Sequence, residues 1–352
     1  MRTVRAALIG AGAIAREHLL ALAEMPNVEI GGVCDLSAAV AEMTAERYGA
    51  RAWFTDHRRM LDEVRPDIVH VTTPPGSHFA LTRECLERGC NVLCEKPITV
   101  EYAECAELQR IATAAGLLLV ENQNLRCHSS ILRILELIAA GEFGEVVDAQ
   151  VQIFLDIGAP GSRFADRNLA HPCLGMRGGA IADFLTHIAY LACLFTGAPR
   201  AVRSVWTKRV PDSVLPADEF RALFEGARST ASVSFSANVR PNGFWVRVFG
   251  TRMHAEANLF EPPRLILRRA RPGGSPLTAV TDGLAEARAV SGATLRALAR
   301  KLGGRSRYDG LPLFLSRTYA ALEKREDAPV SLAEIDTVAR LVAAFTEPEF
   351  VL

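Results

Sequence analysis

Hydrophobic and polar positions run along the first third of the chain with two alternating periods. Short, continuous apolar runs at Ala6–Ile9, Val28–Cys34, Ile68–Thr72, Asn91–Cys94 and Leu117–Val120, with a weaker one at Ala52–Phe54, predict strands. Between them, stretches with helical periodicity predict helices over Ile14–Glu24, Ala38–Tyr48, His57–Val64, His78–Arg88 and Tyr102–Ala115. Strands alternating with helices imply βαβ units and a parallel sheet. Strands that are apolar throughout imply a sheet covered on both faces, and six of them in this order suffice for a complete doubly wound sheet.

The pattern changes near Glu121. A helix is predicted over Ile131–Ala140, ending at Gly141, and a strand over Val146–Phe154. A loop rich in Gly, Pro and Arg runs from Gly158 to Arg177, followed by a long apolar helix over Ala180–Phe195 that stops at Gly197. From about Arg200 to Arg269 strand-like segments follow one another, among them Thr230–Asn238, Phe244–Gly250 and Ala255–Phe260. Helices return at Ala293–Leu302, Leu311–Lys324 and Ser331–Phe345, the last opening on a Ser331…Glu334 capping box. The expected organisation is therefore an α/β domain with a doubly wound parallel sheet over residues 1–121. An α+β domain with a large, mostly antiparallel open sheet is expected over residues 122–352.

Composition narrows the partners. Forty basic residues balance forty acidic ones, so neither nucleic acid nor a membrane surface is expected as the main partner. No stretch approaches the length of an uncharged transmembrane segment. The basic Met1–Arg5 and apolar Ala6–Ile14 imitate a signal peptide, but Gly10, Gly12, Arg16 and Glu17 break the imitation, and a first strand is expected instead. Eight cysteines (34, 85, 90, 94, 105, 127, 173 and 193) include no C-x-x-C pair, so no metal site is expected and free thiols in a reducing, cytoplasmic setting are. The basic residues Arg288, Arg296, Arg300, Lys301, Arg305 and Arg307 read as a solvated helix face and loop.

Four motifs carry chemistry. Gly10-Ala11-Gly12-Ala13-Ile14-Ala15 follows the first strand and opens the first helix. There Gly10 permits a tight turn, Gly12 admits a pyrophosphate and Ala15 lets the helix lie close to the sheet. Asp35, at the end of the second strand, is placed to accept from ribose hydroxyls and to repel a 2′-phosphate, which favours NAD over NADP; a helix-capping role is the alternative. The loop Thr73-Pro74-Pro75-Gly76-Ser77-His78 leaves the fourth strand where a dinucleotide would lie, although a turn is all its composition demands. Glu95-Lys96-Pro97 leaves the fifth strand, where the lysine can meet a substrate hydroxyl or form a surface ion pair.

Together these motifs resemble the Gfo/Idh/MocA family, named for glucose–fructose oxidoreductase, inositol dehydrogenase and a rhizopine-catabolism protein. The similarity continues through Gln123-Asn124-Leu125-Arg126, Gly141-Glu142-Phe143-Gly144-Glu145-Val146, Gly178-Gly179-Ala180-Ile181-Ala182-Asp183 with His187, and Phe249-Gly250-Thr251. The resemblance implies a catalytic set of Lys96, Asp183 and His187. It implies a dinucleotide held by Gly10, Gly12, Ala13, Ile14, Asp35, Thr73, Pro74, His78, Glu95, Lys96 and Asn124. Asp183 and His187, four apart on a helix, share one face, with the carboxylate expected to orient the imidazole.

The chain departs from the family pattern at three places. Leu185 and Tyr190 stand where glycine and aspartate are frequent, and Arg177 stands for a third glycine, which alters the substrate pocket. Arg126, His171, Arg177 and Tyr190 are the candidate substrate contacts, while His18, His57, His70, His128 and His254 read as structural. The implied activity is hydride transfer between nicotinamide and a carbinol or keto carbon of a sugar, inositol or sugar derivative. An NAD-dependent glycosidase of the redox–elimination type and a non-catalytic dinucleotide-sensing regulator are the alternatives. A homodimer or homotetramer packed through the open sheet is expected.

Overall fold

A computed structural model describes residues 3–159, 161–166, 171–260, 264–270, 276–302, 308–347, 350 and 352. It contains two compact units, one of residues 1–124 and 306–339, the other of residues 125–305 and 340–352.

The first unit begins with β1 (Val4–Ile9), α1 (Ala13–Ala23), β2 (Val28–Cys34), α2 (Ala38–Tyr48), β3 (Trp53–Phe54) and α3 (His57–Val64). It continues with β4 (Ile68–Val71), α4 (His78–Glu87), β5 (Asn91–Cys94), α5 (Tyr102–Ala115) and β6 (Leu119–Glu121). The strands pair in parallel in the order β3-β2-β1-β4-β5-β6. All four residues of β4 are buried, as its uninterrupted hydrophobicity requires in the centre of a sheet with helices on both sides. Order reverses between β1 and β4, which opens a crevice at the carboxyl ends of those two strands. Helix ends follow local chemistry: Ser37 caps α2 through the Val40 amide at 3.4 Å, and Gly49, at φ +68°, closes it.

The second unit contains α6 (Ser129–Ala139), β7 (Val146–Phe154), α7 (Ala182–Thr196), β8 (Pro199–Thr207) and β9 (Glu219–Gly226). It then adds β10 (Thr230–Ser236), β11 (Gly243–Gly250), β12 (Met253–Asn258), β13 (Arg264–Arg269) and α8 (Pro276–Leu302). Its strands form one sheet in the order β13-β12-β11-β7-β10-β9-β8, antiparallel except for the β7–β10 pair. Register sets Val151 between Val233 and Val246, with Ala222 and Ala257 outside them, a buried row of small and β-branched residues. Such a row leaves room for a helix, and α7 packs on β7, β9 and β10. Gly179–Thr196, although it carries Asp183, is apolar and long enough to cross a membrane, yet 72% of it is buried within the unit, as in the core helix of a globular domain. Helix α8 starts well before the predicted Ala293. Arg288 on it is exposed; the side chains of Arg296, Arg300 and Lys301, and the residues Arg305 and Arg307, lie outside what is described.

The two helices that follow are α9 (Leu311–Leu322) and α10 (Leu332–Thr346). Residues 306–339 group with the first unit, whereas the sequence assigned everything after residue 121 to the second domain. The reason is a buried face on α9, including Leu311, Phe314, Leu315 and Tyr319, packed against α1. Polar ties add to it: Asn27 Nδ2 donates to Glu323 at 3.2 Å, and Tyr102 Oη donates to Asp336 at 2.8 Å.

Candidate active site

The glycine turn between β1 and α1 has the geometry of a phosphate cradle. Gly10 has φ +92°, and a Cβ there would lie 2.8 Å from Thr73 Cγ2 and 2.9 Å from the Thr72 carbonyl, so only glycine fits. That contact ties the turn to the end of β4, where Thr72 Oγ1 donates to the Gly10 carbonyl at 2.7 Å. Gly12 sits at the helix N-cap, and a Cβ on it would meet nothing within 4 Å. No side chain caps α1 and its first turn holds no acidic residue, so the N–H groups around Ala13 and Ile14 face open space with the positive end of the helix dipole. Ala15 is fully buried, which brings the helix close to the sheet. A dinucleotide pyrophosphate fits this turn.

Asp35 locks the cradle from the side. Its Oδ2 accepts from the Ala11 amide and its Oδ1 from the Ser37 amide, both at 2.9 Å. Ser37, not Asp35, caps α2, so the carboxylate is half-buried beside the turn, with lone pairs left for a ribose diol.

At the end of β5 a buried polar cluster holds the Glu95-Lys96-Pro97 segment. Glu95 Oε1 accepts from His18 Nε2 at 2.9 Å and from Asn122 Nδ2 at 2.5 Å, while its Oε2 accepts from the Lys96 amide at 3.2 Å. Burial alone would raise the Glu95 pKa, but the His18 and Asn122 hydrogen bonds and the Lys96 charge outweigh it and bring it to about 2. The cluster continues from His18 Nδ1 to His70 Nδ1 at 2.8 Å and from His70 Nε2 to Tyr319 Oη at 3.0 Å. Complete burial, helped by His18, pushes His70 well below the usual histidine pKa, so it is neutral. Glu121 accepts from the Ile98 amide at 2.8 Å and from Gln123 Nε2 at 2.8 Å.

His78 takes a different place from the one expected of a cofactor contact. It is fully buried, and its Nδ1 and Nε2 each lie 2.7 Å from a carbonyl, that of Pro97 and that of Thr73. It therefore clamps the loops after β4 and β5 together. Thr73 and Pro74 stay at least partly exposed on their loop and Lys96 is half-buried, whereas Asn124 is buried.

In the second unit, Gly178 and Gly179 (φ +82° and +63°) turn the chain into α7. A Cβ on Gly178 would lie 2.5 Å from Trp206, and one on Gly179 2.5 Å from Pro216, so both glycines are dictated by packing. Asp183 stands in the first turn of α7, favoured there by the helix dipole, with His187 one turn further on. His187 Nδ1 lies 2.9 Å from Tyr190 Oη. Tyr190 is only 2% exposed and its Oη also accepts from the Leu125 amide at 3.2 Å, so the phenol is turned to His187 and the backbone. Leu185 is core.

The other candidate contacts stand on different segments of the second unit. His171 is half-buried, accepts from the Cys173 amide at 3.3 Å and packs at a tilt against Phe164, with ring centroids 4.5 Å apart. Burial and Arg163 lower its pKa against the opposing pull of Asp183, which favours the neutral ring. Arg177 is exposed and pairs with Glu347 at 2.9 Å. Arg126 is half-buried on the turn after Asn124. The His18–His70–Tyr319 chain escaped functional notice in the sequence because its members are 52 and 249 residues apart.

A parallel sheet with a phosphate cradle at its switch point, joined in one chain to an open sheet crossed by an Asp/His helix, defines a dinucleotide-dependent oxidoreductase. Residues 4–123 match the family model described as "Oxidoreductase family, NAD-binding Rossmann fold", and residues 131–256 match the Gfo/Idh/MocA C-terminal domain. The chain belongs to the Gfo/Idh/MocA oxidoreductase family. It is 30% identical to the D-glucoside 3-dehydrogenase of Escherichia coli K12 over 57% of this chain and 56% of that one, so the match spans little more than half of that relative. It is 29% identical to the dTDP-3,4-didehydro-2,6-dideoxy-alpha-D-glucose 3-reductase of Streptomyces violaceoruber over 78% of this chain and 80% of that one. The WlbA dehydrogenase of Bordetella pertussis, crystallised with NADH and UDP-GlcNAcA, shares the fold with a TM-score of 0.79 at 18% identity, over 98% and 94% of the two chains.

Proposed function

We propose that this protein transfers a hydride between NAD and a carbinol or keto carbon of a sugar or sugar derivative, with carbon 3 of a hexose as the reacting position. The observation that carries the cofactor choice is the Asp35 carboxylate bound to the glycine turn through the Ala11 amide at 2.9 Å. A carboxylate there accepts from a ribose diol and repels a 2′-phosphate. The choice of carbon 3 is supported by the names of the E. coli and Streptomyces relatives, both of which act at that position.

When bound, NAD supplies the hydride acceptor at nicotinamide C4. Lys96, leaving β5 on a segment clamped by Glu95 and His78, polarises the substrate oxygen. His187, placed by α7, exchanges the hydroxyl proton, and Asp183 one turn earlier adds negative potential near that ring. A second copy of the chain covering the outer face of the seven-stranded sheet is supported by Val205 and Leu223, which stand 61% and 65% exposed there. The test is NADH formation when the protein is mixed with NAD and candidate sugars, with Lys96→Ala as the control.

A further inference from the structure

Tyr190 occupies the place where the family resemblance would put an aspartate, three residues after His187. On a helix that spacing brings the two side chains together. The Tyr190 hydroxyl lies 2.9 Å from His187 Nδ1, and the rings meet edge to face with centroids 5.6 Å apart. The phenol is itself held, because the Leu125 amide has only a proton to give and donates it to Oη at 3.2 Å. Phe244 closes on the imidazole from β11, 6.4 Å away.

We propose that Tyr190 is the positioning residue of His187, holding Nδ1 with a neutral hydroxyl and so assigning proton exchange with substrate to Nε2. A carboxylate at this place only accepts, and its charge favours the imidazolium. A phenol both donates and accepts, so it stays bonded to Nδ1 whether that nitrogen is bare or protonated. His187 is then held in one orientation without being fixed as a cation, which suits a group that gives and takes a proton in a reversible reaction.

Other charged and titratable groups stand around the pair. Asp183 stands one turn earlier on α7, with Arg163 and His171 acting around it. Arg126 and His128 flank the segment that supplies the Leu125 amide. The strands packed beneath α7 contribute apolar side chains, such as Val151 and Phe235.

The inference rests on the proposed role of His187, but its test needs no substrate. Full-length protein with 15N-labelled histidine is titrated with acid and base in wild type, Tyr190→Phe and Tyr190→Asp. In Tyr190→Phe the His187 ring nitrogens are expected to move toward the tautomer mixture of free imidazole while the other seven histidines keep their signals. In Tyr190→Asp the His187 midpoint is expected to rise by roughly one unit or more. Identical His187 signals and midpoint in wild type and Tyr190→Phe overturn the proposal. Tyr190→Phe removes a single oxygen and decides the matter alone should Tyr190→Asp not fold. Where turnover is measurable, Tyr190→Phe is expected to lower kcat roughly tenfold or more with KM little changed. A His187 response in a protein that forms no NADH would sink the dehydrogenase reading and leave the positioning role standing.

Discussion

The Asp35 carboxylate already serves the fold. Each oxygen already accepts one amide at 2.9 Å, from Ala11 in the glycine turn and from Ser37 before α2. Asp35→Ala is expected to weaken NAD roughly 10- to 100-fold, the worth of one or two charge-assisted hydrogen bonds, and to narrow the gap between NAD and NADP. Titration calorimetry with both dinucleotides reads this, and an unchanged NAD-to-NADP ratio removes Asp35 as the ribose reader. The residue level also marks where sequence reading stops. Helical spacing puts both Asp183 and Tyr190 within reach of His187, and only coordinates show that the Nδ1 hydrogen bond goes to the tyrosine. His78 stood in the sequence as a cofactor contact because it closes the Thr73-Pro74 loop, yet its two carbonyl contacts make it a clamp.

At the level of elements, residues 1–124 were almost wholly legible, since their strands and helices differ in period and every connection among them is local, whereas α9, remote in sequence, was assigned to the other domain. The second unit was legible as a run of strands but not in its pairing. Consecutive strands suggest a meander, whereas β7 sits in the middle of the sheet between β10 and β11, parallel to the former. That order depends on pairing partners remote in sequence, which carry no local signal. The glycines before α7 illustrate a motif whose reason appears only in three dimensions. At Gly178 a positive φ of +82° and Trp206 2.5 Å from a would-be Cβ act together. Gly178→Ala is expected to destabilise the protein by roughly 2 kcal/mol or more, combining left-handed strain with overpacking. Chemical denaturation measures it, and a cost below about 0.5 kcal/mol would mean that Trp206 yields freely.

Over the whole molecule, the buried cluster around Glu95 makes stability depend on pH in two stages. His70 is held neutral by burial, so its folded pKa lies below that of the unfolded chain. The unfolded state then binds the extra proton, and stability falls as pH drops below roughly 6.5, by about 1.4 kcal/mol per pH unit for each such proton. His78, also lowered by burial against its two carbonyl contacts, acts in the same direction. Glu95 is depressed to about 2 in the fold, so its contribution is full above the ordinary carboxylate range and is lost as pH falls through that range toward about 2. Denaturation midpoints between pH 8 and 3 are expected to fall in both windows, and His70→Asn to flatten the upper one. A flat profile between pH 7 and 5 in the wild type contradicts the neutral, buried assignment of His70.

The most direct measurement of the central claim is hydride transfer itself. Purified protein is incubated with NAD and, in separate reactions, free glucosides, xylose, inositols and nucleotide-linked hexoses, with NADH absorbance followed and the product examined by NMR. Stoichiometric NADH together with a new ketone at carbon 3 of one sugar class is the expected result, with turnover in Lys96→Ala reduced by roughly a hundredfold or more. If the same protein binds NAD yet converts a sugar without net NADH, or neither oxidises a sugar nor reduces its keto form, the account of this site as a sugar dehydrogenase is wrong.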